Sequence, residues 1–298
     1  MQSNPKLYTF FNVFSKTVVL LSNSLNQWKI YFSYAAILAC IGFLFNFWGN
    51  SCMQNPLGFA CGEYIGLAIL ILQVILYVML FLLFAVNLYS SLIKHIEFSL
   101  RQIFSLNYTK LRQIGFLLTY IISLSIPWLI AVMLIKKPAN PDWRIEFIYF
   151  MITFVMGLIP LLAMRFSASV GYYMQNMHYP ALSKLYNVTI GKSYIGIIGF
   201  LIIMQIFVVV NIKMLSVFNH ITSASIMLLF TYFADYLFKL FFIAFALLFC
   251  QAQYEIIELS QTKSMAQADN PSAAAETASA SKSKKTTKKT RKKSKKEN

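Results

Sequence analysis

IMLLFTYFADYLFKLFFIAFALLFC, residues 226–250, decides the fold. A helix that crosses a bilayer needs roughly 20 mostly apolar residues. This run is long enough, and it carries only two charges, Asp235 and Lys239. Five more windows of the same kind precede it, at about 30–48, 65–89, 114–135, 146–164 and 194–217. An open sheet would leave backbone polar groups unpaired in lipid, and the runs are too long for barrel strands. The reading is therefore all-α: a polytopic membrane helical bundle with six transmembrane helices, cytoplasmic amphipathic helices and a disordered basic tail.

Composition agrees. The chain has 298 residues, 58% of them hydrophobic and 12% charged. A soluble domain is nearer 45–50% and 25%. The frequent Phe, Ile, Asn and Lys suit an AT-rich genome, and we expect a bacterial source. No cleavable signal peptide is expected, because Asn12, Ser15, Lys16 and Asn23 break the first apolar stretch.

Lys and Arg orient the spans. One side would carry Lys6, Lys16, Lys29, Lys94, Arg101, Lys110, Arg112, Arg165, Lys184 and Lys192, the other only Lys136, Lys137 and Arg144. Both termini are then expected in the cytoplasm of a cell inner membrane. The sequons at Asn107 and Asn187 would also face the cytoplasm.

Three regions are expected. Residues 1–29 form an amphipathic segment. Leu7, Phe10, Phe11, Phe14, Val18, Leu21, Leu25 and Trp28 follow helical spacing, with Asn12, Lys16, Asn23 and Asn26 mostly opposite. Such a helix can lie on the bilayer face or pack on the bundle. Residues 30–250 hold the six spans. The two long connectors, about 90–113 and 165–193, read as amphipathic helices, and together with their spans they hint at an internal repeat. Residues 251–298 form a cytoplasmic segment, disordered and Lys-rich from about 261. Residues 261–298 carry eleven Lys or Arg against three acidic residues, half of the net charge of +16.

Asp235 and Lys239 are spaced for a salt bridge at i, i+4. An ionisable group inside a span is functional by default, yet this pair can neutralise itself, and Lys239 can snorkel. Lys213 is a second possible partner for Asp235. With Gln73, Asn87, Gln205 and Asn211 these groups could line a pathway or bond helices together. Pro127 and Pro160 are expected to kink their spans.

Cys52 and Cys61 flank MQNPLGFA in the first outer loop, whose Pro56 and Gly58 favour a turn. A disulfide or two free thiols both fit. No Cys or His has ligand spacing, so no metal or other cofactor is expected. TIGKS, 189–193, lacks the glycine that a phosphate loop needs, since Tyr186 stands there. No catalytic constellation stands out, and the protein is read as not an enzyme. Lys284, Lys285, Lys288, Lys289, Arg291, Lys292, Lys293, Lys295 and Lys296 would meet anionic lipid. They would meet nucleic acid only without sequence preference, since no aromatic residue interleaves with them.

PLLAMRFSASVGYYMQNMHYPALSKLYNVTIGKSYIGIIGFLI, residues 160–203, resembles a diffuse group of bacterial six-helix membrane proteins. The group includes the membrane domain attached to some glycerophosphodiester phosphodiesterases. Ala181, Leu182, Thr189, Gly191 and Lys192 carry the likeness, while the Arg-rich face usual in that helix is reduced to Lys184. The resemblance implies membrane association beside lipid metabolism or envelope upkeep. The soluble phosphodiesterase barrel is absent, so no catalytic residues carry over. The chain is thus expected to organise lipid or partner proteins at the cytoplasmic face, the alternative being a transporter or channel component with Asp235, Lys239 and Lys213 on its pathway.

Overall fold

A computed structural model describes residues 8–54, 63–93, 95–96, 98–134, 143–179, 194–218 and 225–269. Among these the regular structure is helical throughout. In chain order the helices are α1 (Phe10–Leu25), α2 (Trp28–Gln54), α3 (Glu63–Ile93), α4 (Tyr108–Leu134), α5 (Trp143–Arg165), α6 (Ala168–Asn176), α7 (Tyr194–Phe218) and α8 (Ser225–Asp269).

Five of them are long and apolar enough to cross a membrane: α2, α3, α5, α7 and α8. The third expected window falls on α4. That helix opens with Lys110, Arg112 and Gln113, and the side chains of its last residues lie outside the described set. Pro127 and Pro160 sit inside α4 and α5, where the sequence puts them. The Tyr120 hydroxyl of α4 donates to the Ala163 carbonyl of α5 at 2.9 Å.

The last helix is the hub: α1, α2, α3, α6 and α7 all pack on α8. One apolar core joins α2, α3 and α8 through Tyr34, Leu38, Phe84, Leu88 and Leu240, all fully buried. A second core lies further along α8, where Phe249, Ala252 and Ile256 meet Val13, Ala168 and Ile195. By contrast α5 turns almost its whole apolar surface outward, with Phe147, Phe150, Phe154 and Leu162 all more than half exposed. That distribution suits a helix bathed in hydrocarbon.

Two expectations change. The connector over 90–113 is not a helix. His95 takes a φ of 52°, a left-handed backbone that cannot continue a helix. Among the described residues a single 3₁₀ turn, Leu100–Gln102, follows before α4. Ile103 is buried while Ile96 and Phe104 stay exposed, so they share no packed face. The second connector does begin as a helix, α6. The two span–connector–span units therefore differ where the hint of a repeat needs them alike.

The helix of the last span also outruns its expected end. It continues to Asp269, past the composition change near residue 261. Its 45 residues measure about 68 Å at 1.5 Å per residue, roughly twice a hydrocarbon core of about 30 Å. Apolar spacing explains the continuation. Phe245, Phe249, Ala252 and Ile256 form one stripe that keeps helical period beyond the span.

Candidate functional site: a polar collar around the last helix

Asp235 and Lys239 meet as their spacing requires. Lys239 Nζ lies 2.6 Å from Asp235 Oδ2, and it sits 5.1 Å from the centre of the Tyr236 ring. The Tyr77 and Tyr236 rings are 5.4 Å apart, and the Gln73 amide donates to the Tyr77 hydroxyl at 3.2 Å. Both charged side chains are partly buried, at 19% and 30% exposure. Lys213 lies exposed near the end of α7.

The four uncharged polar residues of spans 2 and 5 separate into different roles. Asn87 is buried and ties α3 to α2 by donating to Tyr34 Oη at 2.6 Å. Gln73 bonds within its own helix. Gln205 faces outward and Asn211 is half-buried. Between α2 and α8 runs a groove of about 200 Å³ lined by Ala36, Ala39, Cys40, Leu229, Phe230 and Phe233, with no polar atom exposed in it.

Cys52, expected in the first outer loop, falls instead in the last turn of α2. Its proposed disulfide partner Cys61, the tail cations Lys284, Lys285, Lys288, Lys289, Arg291, Lys292, Lys293, Lys295 and Lys296, and the motif residues Ala181, Leu182, Lys184, Thr189, Gly191 and Lys192 lie outside the described residues. Among the described residues no three His, Cys, Asp or Glu side chains gather as a metal site would require.

A larger polar assembly surrounds α8 at residues 251–255. Gln253 is fully buried. Its Oε1 accepts from the Ser167 hydroxyl at 3.0 Å and from the Tyr8 hydroxyl at 3.3 Å, while its Nε2 has no partner among the described residues. Gln251 Oε1 accepts from Tyr89 at 3.2 Å, and Gln251 Nε2 donates to Glu255 at 3.0 Å and Gln175 at 3.2 Å. Glu255 in turn bridges Lys16 at 2.7 Å. Asn176 donates to the Tyr254 hydroxyl at 3.3 Å. One turn of α8 thus holds α1, α3 and α6 together.

Backbone contact reinforces the collar. A Cβ on Gly171 would stand 2.8 Å from the Cys250 carbonyl oxygen and 3.0 Å from the Gln251 Cα. Only glycine lets α6 approach α8 this closely. Ser167 and Gly171 belong to a run of small residues four apart, a spacing that permits close helix approach. Burial pushes the Tyr8 hydroxyl well above the ordinary tyrosine range, so it remains a donor to Gln253. Desolvation lowers the pKa of Lys110, whose Nζ donates to the Gln102 carbonyl.

Sequence reasoning placed the charge pair and missed the collar. Gln251, Gln253 and Glu255 read as the start of a polar tail. The available signal was the apolar stripe running on through Ala252 and Ile256. The chain matches no protein-family model, no curated protein and no solved structure. The likeness of residues 160–203 to the six-helix group therefore rests on those residues alone.

Proposed function

We propose that the chain is a non-enzymatic inner-membrane protein with six spans, α4 being the third, and with both termini cytoplasmic. It organises lipid or partner proteins at the cytoplasmic face. One observation carries the reading: α8 runs on beyond the length of a span, and its extension is wrapped by α1 and α6 in a bonded collar. The elaborated part of the molecule is thus at a membrane face rather than along a passage through it. Lys16, Lys29, Arg101, Lys110, Arg112 and Arg165 all flank that same end of the helices, as the excess of basic residues on cytoplasmic loops requires. Residues 281–298 add further cations for anionic headgroups.

The test uses full-length protein in nanodiscs with added anionic vesicles. Binding should fall steeply with salt and with deletion of residues 281–298. Binding that ignores both would sink the proposal.

A transporter or channel component is the second reading. It is favoured by the Asp235–Lys239 pair, partly exposed beside Tyr77, Tyr232 and Tyr236 inside a span. Ion or solute flux in proteoliposomes that disappears in Asp235→Asn would establish it.

A further inference from the structure

α1 has three faces. At about 100° per residue, Val13, Thr17 and Ser24 share one, and all three are fully buried. Phe11, Phe14, Val18 and Leu25 share a second, within roughly 60° of one another. Asn12, Lys16 and Asn23 share a third, nearly opposite the second.

The chain buries the wrong face for a water-soluble helix. Two hydroxyl residues are inside, while Phe11 is 80% exposed and Leu25 is 53% exposed. The second face continues across the turn at Asn26 and Gln27 into Trp28, 54% exposed, and Phe32 on α2. A large apolar surface of this kind has a partner.

The contacts with α8 fix which way each face points. Tyr8, two residues before α1, and Lys16, in its second turn, are eight residues apart in the chain, yet they bond to Gln253 and Glu255, about 3 Å apart along α8. The two helices therefore cross steeply. Since α8 spans the bilayer, α1 lies close to the membrane plane. Phe14, on the apolar face, has its ring 6.1 Å from Phe245, inside the span. Lys16, on the polar face, pairs with Glu255 on the extension. The apolar face looks into the membrane and the polar face looks away from it.

We infer that α1 is an in-plane membrane-surface helix whose partner is the bilayer itself. Phe11, Phe14, Val18, Leu25 and Trp28 insert at the boundary of headgroups and acyl chains in one leaflet. Tyr8 and Lys16 pin the helix to α8 so that its depth is fixed. The inference rests on the bilayer reading of the proposed function, but not on the tail or on anionic lipid.

The experiment is a spin-label scan of full-length protein in nanodiscs, with Cys40, Cys52, Cys61 and Cys250 replaced by alanine. Labels go at Phe11→Cys, Phe14→Cys, Val18→Cys and Leu25→Cys, with Asn12→Cys and Asn23→Cys as controls. The first four should collide with oxygen more than with a water-soluble nickel chelate. They should also share one depth, although they span about 21 Å of helix. The two controls should show the reverse preference.

Nickel access at the first four equal to the controls would place the stripe in water. A depth that grades by about 1.5 Å per residue would make α1 a penetrating helix. Exclusion of both reagents would mean that protein covers the stripe. Each of these results overturns the inference. If the cysteine-free protein does not fold, p-benzoylphenylalanine at Phe11 or Phe14 in the native-cysteine chain serves instead. Lipid adducts support the inference, and adducts to protein alone refute it. Loss of vesicle binding on deleting residues 281–298 changes none of these readings, so the two proposals fail separately.

Discussion

Asp235→Asn, Lys239→Met and the double variant form the most informative perturbation. The bridging atoms are 2.6 Å apart. At an effective dielectric of about 20, two unit charges at that distance attract by about 6 kcal/mol. Desolvation costs several kcal/mol per ion and cancels most of that gain. The intact pair therefore contributes little net stability, while either member alone is costly. Losing one partner of a buried pair costs about 3–5 kcal/mol, and the residual exposure of this pair argues for about 3.

The two singles should differ. After Asp235→Asn, Lys239 keeps the Tyr236 ring, a cation–π contact contributing about 0.5–2 kcal/mol. After Lys239→Met, Asp235 loses its bridge and gains nothing. Lys239→Met should thus be the worse single by about 1 kcal/mol. Thermal unfolding in nanodiscs reads this, at about 2 °C per kcal/mol for a chain of this size. Asp235→Asn should lower the midpoint by roughly 4 °C and Lys239→Met by roughly 6 °C. The double variant should return to within about 2 °C of the wild type. Singles as stable as the wild type, or a double equal to their sum within about 0.5 kcal/mol, would refute the reasoning. The charges would then be independent and face water inside the protein, and the pathway reading would lead.

Other expectations follow from the collar. Gly171→Ala should destabilise by about 1–3 kcal/mol, because backbone atoms of α8 occupy the space its Cβ needs. Gly115→Ala and Gly157→Ala, with nothing within 4 Å, should be neutral or gain up to about 1 kcal/mol from helix propensity; all three are read by thermal midpoint. Tyr8→Phe and Ser167→Ala should each cost about 1 kcal/mol. Together they should cost more than the sum, because both donate to Gln253 Oε1 and only the double variant leaves that buried oxygen without a donor. In Tyr8→Phe, hydrogen exchange should quicken in α1 before it does in α2. Lys16→Ala should cost no more than about 1 kcal/mol, as the bridge is part-exposed, and melts in rising salt should erase the difference from wild type.

Much of this architecture was open to a reading of the residues. Spans are announced by composition and length, so all but one of the six windows lie on helices that can cross a membrane. The Asp235–Lys239 bridge needs only helical spacing. The apolar period of α1 was equally plain, but which face would be buried was not. That choice depends on Gln253 and Glu255, more than two hundred residues away in the chain. The connector after α3 carries a period that its backbone does not follow. Leu92, Ile96, Leu100 and Ile103 repeat at helical intervals, yet the left-handed His95 breaks the period at its first step. The collar was hidden for a related reason. Hydropathy drops at Gln251, and burial of such residues is decided by distant partners rather than by their neighbours.

The hub position of α8 has a consequence for how the molecule is made. α8 follows α2 by roughly 200 residues, which at about 5–20 residues per second of synthesis is a delay of about 10–40 s. During that interval the docking surface for α1, α2, α3, α6 and α7 does not exist. The early helices must wait in the membrane with their α8-facing sides against lipid or insertion machinery. α1, too short to span, has only its apolar stripe to hold it at the surface. Assembly then resembles the driving of a central post into a ring already standing. A chain broken off just before Phe245 would keep Leu240 and Ala244 in the core with α2 and α3, and would lose the stripe against which α1 and α6 pack.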